Sequence, residues 1–201
     1  KRIVIDIKDI DLSEVPELQP ESDYSVAHPH SSICSFSKHL CGAATDLTIR
    51  GLEALNGVRN SGSVLIALCC HHRCSWQSYV GREFFEDTLG LTKEDFEVMV
   101  RMSSWATSGE HSDAPSAGSW GDVLTSEAKT LWGWRTKRIL DVGRVKYLKK
   151  LGYETEFQYY VKPEISLENI LMISKRAINA DPTSKIATSS ASSAPQAEET
   201  H

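Results

Sequence analysis

The chain's reactive side chains are densest in the stretch "IALCCHHRC". Cys69, Cys70 and Cys74 share six consecutive positions with His71 and His72 at the end of an apolar run. Thiolates and imidazoles are the preferred ligands of zinc; thiolates are also nucleophiles, and imidazoles carry protons near neutral pH. Spacing argues against a metal. Adjacent pairs splay apart on a strand, whereas structural zinc sites place ligands two to four residues apart and draw a second pair from elsewhere. Cys70, His72 and Cys74, completed by Cys41 or His39, form the one metal set the spacing leaves open. A pocket wall fits better, with Cys69 inward as a small hydrophobe and His71 or His72 facing a substrate. Cys70 beside His71 also has the makings of an activated thiol pair.

The elements that position this cluster follow from hydrophobic patterning. Continuous apolar, β-branched runs predict strands at Ile3–Ile7, Ile33–Phe36 and Val64–Cys69, read as buried parallel strands. Between the last two, Thr45 is placed to cap a helix carrying Leu47, Leu52 and Leu55 toward the core, with Gly57 at its end. Beyond the cluster, Arg82–Thr88 reads as a short helix. Thr92 and Asp95 form a capping box ahead of "FEVMVRM". Ser103–Gly121 loses periodicity and collects Ser, Gly and Pro, the composition of a long loop, a lid or a disordered insert. Ser126–Leu151 is helical again and stops at Gly152. "ETEFQYYV" and "LENILMIS" then predict an antiparallel hairpin turning at Lys162–Ser166. After Arg176 the Ser/Ala/Thr-rich composition predicts a disordered tail, 177–201, following one domain, 1–176.

Ligands of open α/β sheets bind at the carboxyl ends of the strands. The segments "DIKD", "SKHLCG" and "CCHHRC" are therefore expected to converge on one crevice. The composition of the 201 residues, 40% of them hydrophobic, suits a single domain of this kind. Five cysteines form an odd set without the even pattern of a disulfide framework, and no apolar run approaches a signal peptide or membrane span. An intracellular setting, nucleus or cytoplasm, is expected, with no membrane partner. A net charge of −5 offers no global attraction to nucleic acid, so a polyanion must meet a local basic patch. Arg135–Lys150 supplies one, with seven basic residues against the single acid Asp141. Arg73, Arg135, Lys137, Arg138 and Arg144 are the expected RNA-contacting residues, more so than Lys149 and Lys150.

The stretches "FSKHLCGAATDLTIRGL", "IALCCHHRCSWQSYVG", "MSSWA" and "RTKRILDVGRVKYLKKLGYETEFQYYV" together closely resemble the tRNA 2′-O-methyltransferase family that modifies the fourth nucleotide of the acceptor stem, tRNA methyltransferase thirteen. The resemblance covers Lys1 to Lys175. It implies an α/β, Rossmann-like class I methyltransferase fold, with S-adenosylmethionine as cofactor and the tRNA acceptor stem as partner. Family members also carry small zinc-binding modules and a glycine-rich cofactor loop ahead of the first strand seen here. No Gly-x-Gly follows a strand in this chain. The resemblance therefore implies an incomplete domain, its first two strands absent, ending in an antiparallel hairpin.

By the same resemblance, Asp6 and Ile7 receive the adenine, with Asp9 and Asp11 as nearby competitors, and Ser37 and Cys70 complete the cofactor contacts. Lys38 and His39 follow the strand that meets the target atom. A ribose hydroxyl is a poor nucleophile, and one of these residues, or His71 or His72, is expected to take its proton. Cys41 and Gly42 are expected to serve turn and packing, and no metal is expected. The alternative is a non-catalytic, zinc-dependent RNA-binding module built on the same cluster.

Overall fold

The computed structural model describes residues 2–19, 22, 33–55, 61–107 and 124–176. Four strands form one open sheet: β1 (Ile33–Lys38), β2 (Ser61–Leu68), β3 (Tyr153–Tyr159) and β4 (Ile170–Arg176), in the order β1-β2-β4-β3. β1 and β2 are parallel, joined by helix α1 (Ala43–Leu55). β4 runs antiparallel to both neighbours and is wedged between β2 and β3. The terminal hairpin is thus present, and its second strand lies inside the sheet. Helix α2 (Lys93–Met102) opens with the expected Thr92–Asp95 capping box, and α3 (Ser126–Lys150) runs for 25 residues into β3. No helix among the described residues is long and apolar enough to cross a membrane.

The core lies on one face of the sheet. Val64, Ile66, Leu68, Ile170 and Met172 project from β2 and β4 onto Ile49, Leu52 and Leu55 of α1 and Leu148 of α3. Each such side chain contributes roughly 1.5–3 kcal/mol on burial. A second cluster joins Tyr79, Phe85, Phe96 and Leu140, where Phe85 meets Phe96 edge to face at 5.5 Å between centroids and Tyr79 lies tilted over Phe96. The helical glycine of "DVGR" belongs to this junction. A Cβ on Gly143 would stand 2.0 Å from the Tyr79 hydroxyl, which donates 2.8 Å to the Leu140 carbonyl.

The opposite face is open at β1. Cys34, Phe36 and Lys38 alternate outward, and Phe36 is 82% exposed. Among the described residues β1 is also an edge strand, paired with β2 alone.

Several expectations change. Ile3–Ile7 is not a strand but an irregular stretch that bends at Ile5 and enters a turn at Ile7, with Ile3, Val4 and Ile5 exposed. A strand needs a neighbour to pair its backbone groups, and no described strand lies beside it. Residues that follow form two short 3-10 turns, whose Leu12 and Leu18 pack against the main core. Thr45 is not the cap of α1, which starts at Ala43; its hydroxyl donates back to the Leu40 carbonyl from inside the first turn. Ile49, not Leu47, fills the core position. Phe84–Thr88 is a π-helical turn that buries Phe85. Ser103–Ala106 forms a 3-10 turn with Ser103 and Ala106 buried, so the predicted loop begins later than expected. Gly57, the stretch 108–123 and the tail 177–201 lie outside the described residues.

Candidate functional site

Parallel pairing sets Lys38 opposite Ala67, so the segments after β1 and β2 leave the sheet side by side. His39 (φ 65°) and Cys70 (φ 48°) are the only described non-glycine residues with positive φ, one in each segment. Left-handed backbone costs an L-residue about 1–2 kcal/mol and persists where the surroundings enforce it. Gly42 (φ 54°) lets the two segments touch: a Cβ there would fall 2.3 Å from the Arg73 carbonyl carbon. Cys41 Sγ lies 3.4 Å from Cys69 Sγ, and the thiol of Cys70 joins them, all three sulfurs lying within 4.8 Å of one another. Glu168, just ahead of β4, fixes the Cys70 turn. Its Oε1 accepts from the Cys70 amide at 3.2 Å, while its Oε2 accepts from Lys137 Nζ at 2.6 Å.

Beneath this rim lies a buried charge network. Arg144 donates to Asp46 (Nη2 to Oδ2, 2.7 Å; Nε to Oδ1, 3.1 Å), to Asp141 Oδ1 (3.1 Å), and to the Gly42 carbonyl (3.3 Å). Its Nη2 also reaches Cys74 Sγ at 3.2 Å. Both rim segments are therefore held by one guanidinium. His71 Nε2–H donates 2.8 Å to Asp141 Oδ1, and Arg138 pairs with Asp141 Oδ2 at 2.8 Å. Burial opposes ionisation of Asp141, but His71, Arg138 and Arg144 together carry its carboxyl down to about 2. Burial pushes the His71 imidazole below its ordinary value, only partly offset by Asp141. Burial also raises the Cys74 thiol to about 12 despite Arg144, and it is no ready nucleophile.

The residues predicted from sequence divide accordingly. Lys38, His39, His72 and Arg73 are exposed at the rim. His71, grouped with His72 in the sequence, is 1% exposed and turned into the Asp141 network, its Nδ1 buried without a partner. Ser37 Oγ is likewise buried and unpartnered on β1. Cys70 sits in the thiol cluster. Asp6 is exposed, and its carboxylate accepts from the Lys8 amide of its own turn at 3.1 Å. Ile7 is half-buried in that turn.

The basic stripe does not hold together as one surface. Arg135 is exposed, stacked over Trp132, and Arg138 lies over the Phe157 ring while paired to Asp141. Lys137 and Arg144 are each 1% exposed and spent on Glu168, Asp46 and Asp141, so neither offers its charge to a phosphate here. Phasing explains this: Lys137, Asp141, Arg144 and Leu148 fall on one face of α3, the face against the sheet and α1. Asp46 and Glu168 are the site residues missed by sequence reasoning. Asp46 shares the Ile49–Leu52 stripe of α1, an acid on an apolar face, which was the available signal. Glu168 carried none, because its partners are 31 and 98 residues away.

The residues expected to hold S-adenosylmethionine are spread over Asp6 and Ile7 in the N-terminal turn, Ser37 on β1 and Cys70 in the thiol cluster. Asp6 is engaged in its own turn. Two hollows, of about 510 and 360 Å³, are lined by residues such as Arg50, Glu83 and Asp87 and Val80, Gly143 and Lys150 respectively.

An open α/β sheet whose strand-end segments meet over a polar network is the layout in which such proteins bind ligands. The chain matches the family described as Methyltransferase TRM13 over residues 1–175. It is similar to the "tRNA:m(4)X modification enzyme TRM13 homolog" of Mus musculus, at 30% identity over 92% of this chain and 50% of the relative. The Homo sapiens protein of the same description is 30% identical over 86% of this chain and 48% of its own length. The "tRNA:m(4)X modification enzyme TRM13" of Schizosaccharomyces pombe is 34% identical over 89% and 47%. This chain belongs to the methyltransferase TRM13 family. It spans about half the length of these relatives. No solved structure matches it.

Proposed function

We propose that the chain is the C-terminal portion of a Rossmann-like, class I methyltransferase domain. Within a protein of its relatives' length, it would act on the ribose 2′-hydroxyl of the fourth acceptor-stem nucleotide of tRNA, with S-adenosylmethionine as methyl donor. The observation that carries this reading is the strand order. A parallel pair followed by an antiparallel strand wedged before the last one corresponds to the final four places of the class I order 3-2-1-4-5-7-6. In that order Ile3–Ile7 is the third strand, separated from β1 by the first and second. Its lack of strand form follows from lacking that neighbour, and the adenine role of Asp6 and Ile7 belongs to the completed sheet.

The rim supplies what a 2′-hydroxyl needs from this half of the protein. Lys38, His39 and His72 are exposed, near the segments joined by Gly42 and Arg73, where one can take the hydroxyl proton directly or through a water. His71 contributes by holding the second segment through Asp141. Arg73 and Arg135, with Trp132 beneath the latter, suit the backbone and unstacked bases of RNA. A tRNA substrate implies an intracellular compartment, nucleus or cytoplasm.

The test uses a protein of the relatives' length carrying Lys38→Ala, His39→Ala or His72→Ala, assayed for methyl transfer to unmodified tRNA and, separately, for tRNA binding. Loss of turnover with binding intact in one variant identifies the base. Full turnover in all three removes the rim as the catalytic centre, and a product methylated on a base instead of a ribose overturns the reaction assigned.

A further inference from the structure

We infer that Cys41, Cys69 and Cys70 form a three-thiolate site for a thiophilic divalent cation of the zinc class, its fourth position open to water or an exogenous ligand. Neighbouring cysteines on a strand would point to opposite faces, which is the objection to a metal here. It does not apply, because β2 ends at Leu68 and Cys70 adopts left-handed backbone (φ 48°, ψ 47°). That turn gathers the thiols of Cys69 and Cys70 with Cys41 from the other segment, all within 4.8 Å. Tetrahedral zinc with bonds of about 2.3 Å needs sulfurs about 3.8 Å apart. The Cys41–Cys69 separation of 3.4 Å falls within a few tenths of that spacing.

The site is held from outside as ligand sets usually are. Glu168 takes the Cys70 amide, and the buried Lys137 fixes Glu168 in turn, so the strained residue is braced rather than free to relax. Gly42 admits the Cys41 segment against Arg73. Cys74 is excluded, its sulfur facing Arg144, and among the described residues no fourth side chain joins the cluster. Three soft thiolates select zinc-class cations over magnesium or calcium, which favour oxygen. On binding, each thiol releases its proton to solvent and donates a sulfur lone pair. Three protons leave, and the centre carries a net charge of −1 without change of oxidation state.

The full chain, kept reduced with a phosphine, is titrated with Co(II). A one-equivalent end point is expected, with thiolate-to-cobalt charge transfer and the intense visible bands of tetrahedral cobalt. Cys41→Ser and Cys70→Ser should each lose the tetrahedral bands, while Cys34→Ser, whose thiol lies outside the cluster, should keep them. Circular dichroism checks that each variant folds, and cadmium-113 resonance of the unaltered chain loaded with Cd(II) counts thiolates directly even if a variant does not. A three-sulfur cadmium shift supports the site. No cobalt bands at stoichiometric metal, unchanged bands in folded Cys41→Ser, or a cadmium shift with fewer sulfurs overturns it. So does a reduced chain that takes up no metal yet forms a Cys41–Cys69 disulfide with hydrogen peroxide as oxidant, which would assign the thiols to redox chemistry.

Discussion

The guanidinium of Arg144 stands 2.7 Å from Asp46 Oδ2 across 98 residues of sequence, and both side chains are buried. This contact ties α1 to α3, and with its branches to Gly42 and Cys74 it holds the two rim segments together. Removing one partner leaves a buried charge uncompensated, a loss of about 3–5 kcal/mol. Arg144→Met is expected to lower the unfolding free energy, read from urea denaturation, by that amount, whereas Arg144→Met combined with Asp46→Leu and Asp141→Asn should recover much of it. Equal midpoints for wild type and Arg144→Met would show the network to be dispensable.

The imidazole of His71 makes stability depend on pH. Its folded pKa is lowered from 6.5, so below 6.5 the unfolded chain takes up a proton that the folded chain refuses. Stability is therefore full above about 6.5 and falls with decreasing pH toward the folded value, by up to ~1.4 kcal/mol per pH unit. His71→Gln keeps a donor for Asp141 and removes the titration, and denaturation curves at pH 7.5 and 5.5 should then lie closer together. Asp141 acts lower: with its pKa at about 2, its contribution is present above the ordinary value of 3.8 and lost as pH falls through 2.

Gly42→Ala combines left-handed backbone with a 2.3 Å approach to Arg73. A cost above ~2 kcal/mol is expected from backbone conformation and displacement together. Tryptophan fluorescence during urea unfolding reads the change, and an unaltered midpoint would mean that the segments do not meet.

The location of each charge separates RNA contact from internal support. In a protein of the relatives' length, Arg135→Ala is expected to weaken tRNA binding and reduce the salt slope by about one. Lys137→Ala, whose ammonium is held by Glu168, should instead lower the melting temperature and leave that slope unchanged. The reverse pattern would return Lys137 to the RNA surface.

The strands of the sheet and its helices were legible in the sequence because patterning is local. The run at Val64–Leu68, the Thr92–Asp95 box and the α3 periodicity each declare an element within a few residues. Arg144 departs from its sequence expectation for the opposite reason. Counting charges along α3 shows a basic stripe, but only the helix phase, with Leu140 and Leu148 on the same side, puts Lys137 and Arg144 inward. The Cys69–Cys70 pair was read as strand neighbours, and nothing in their types signals the left-handed turn that draws their sulfurs together. Ile3–Ile7 shows a related limit: a strand-like run forms a strand only when something lies alongside it.

That limit bears on β1 as well. Among the described residues no strand neighbours its outer amides and carbonyls, and Phe36 is exposed, with Lys38 as the strand's only charge. A bare strand border of this kind is a template for another chain. Molecules of this chain alone, without the strand proposed to lie beside β1, are expected to stack border to border in concentrated solution, and turbidity on concentration reads it.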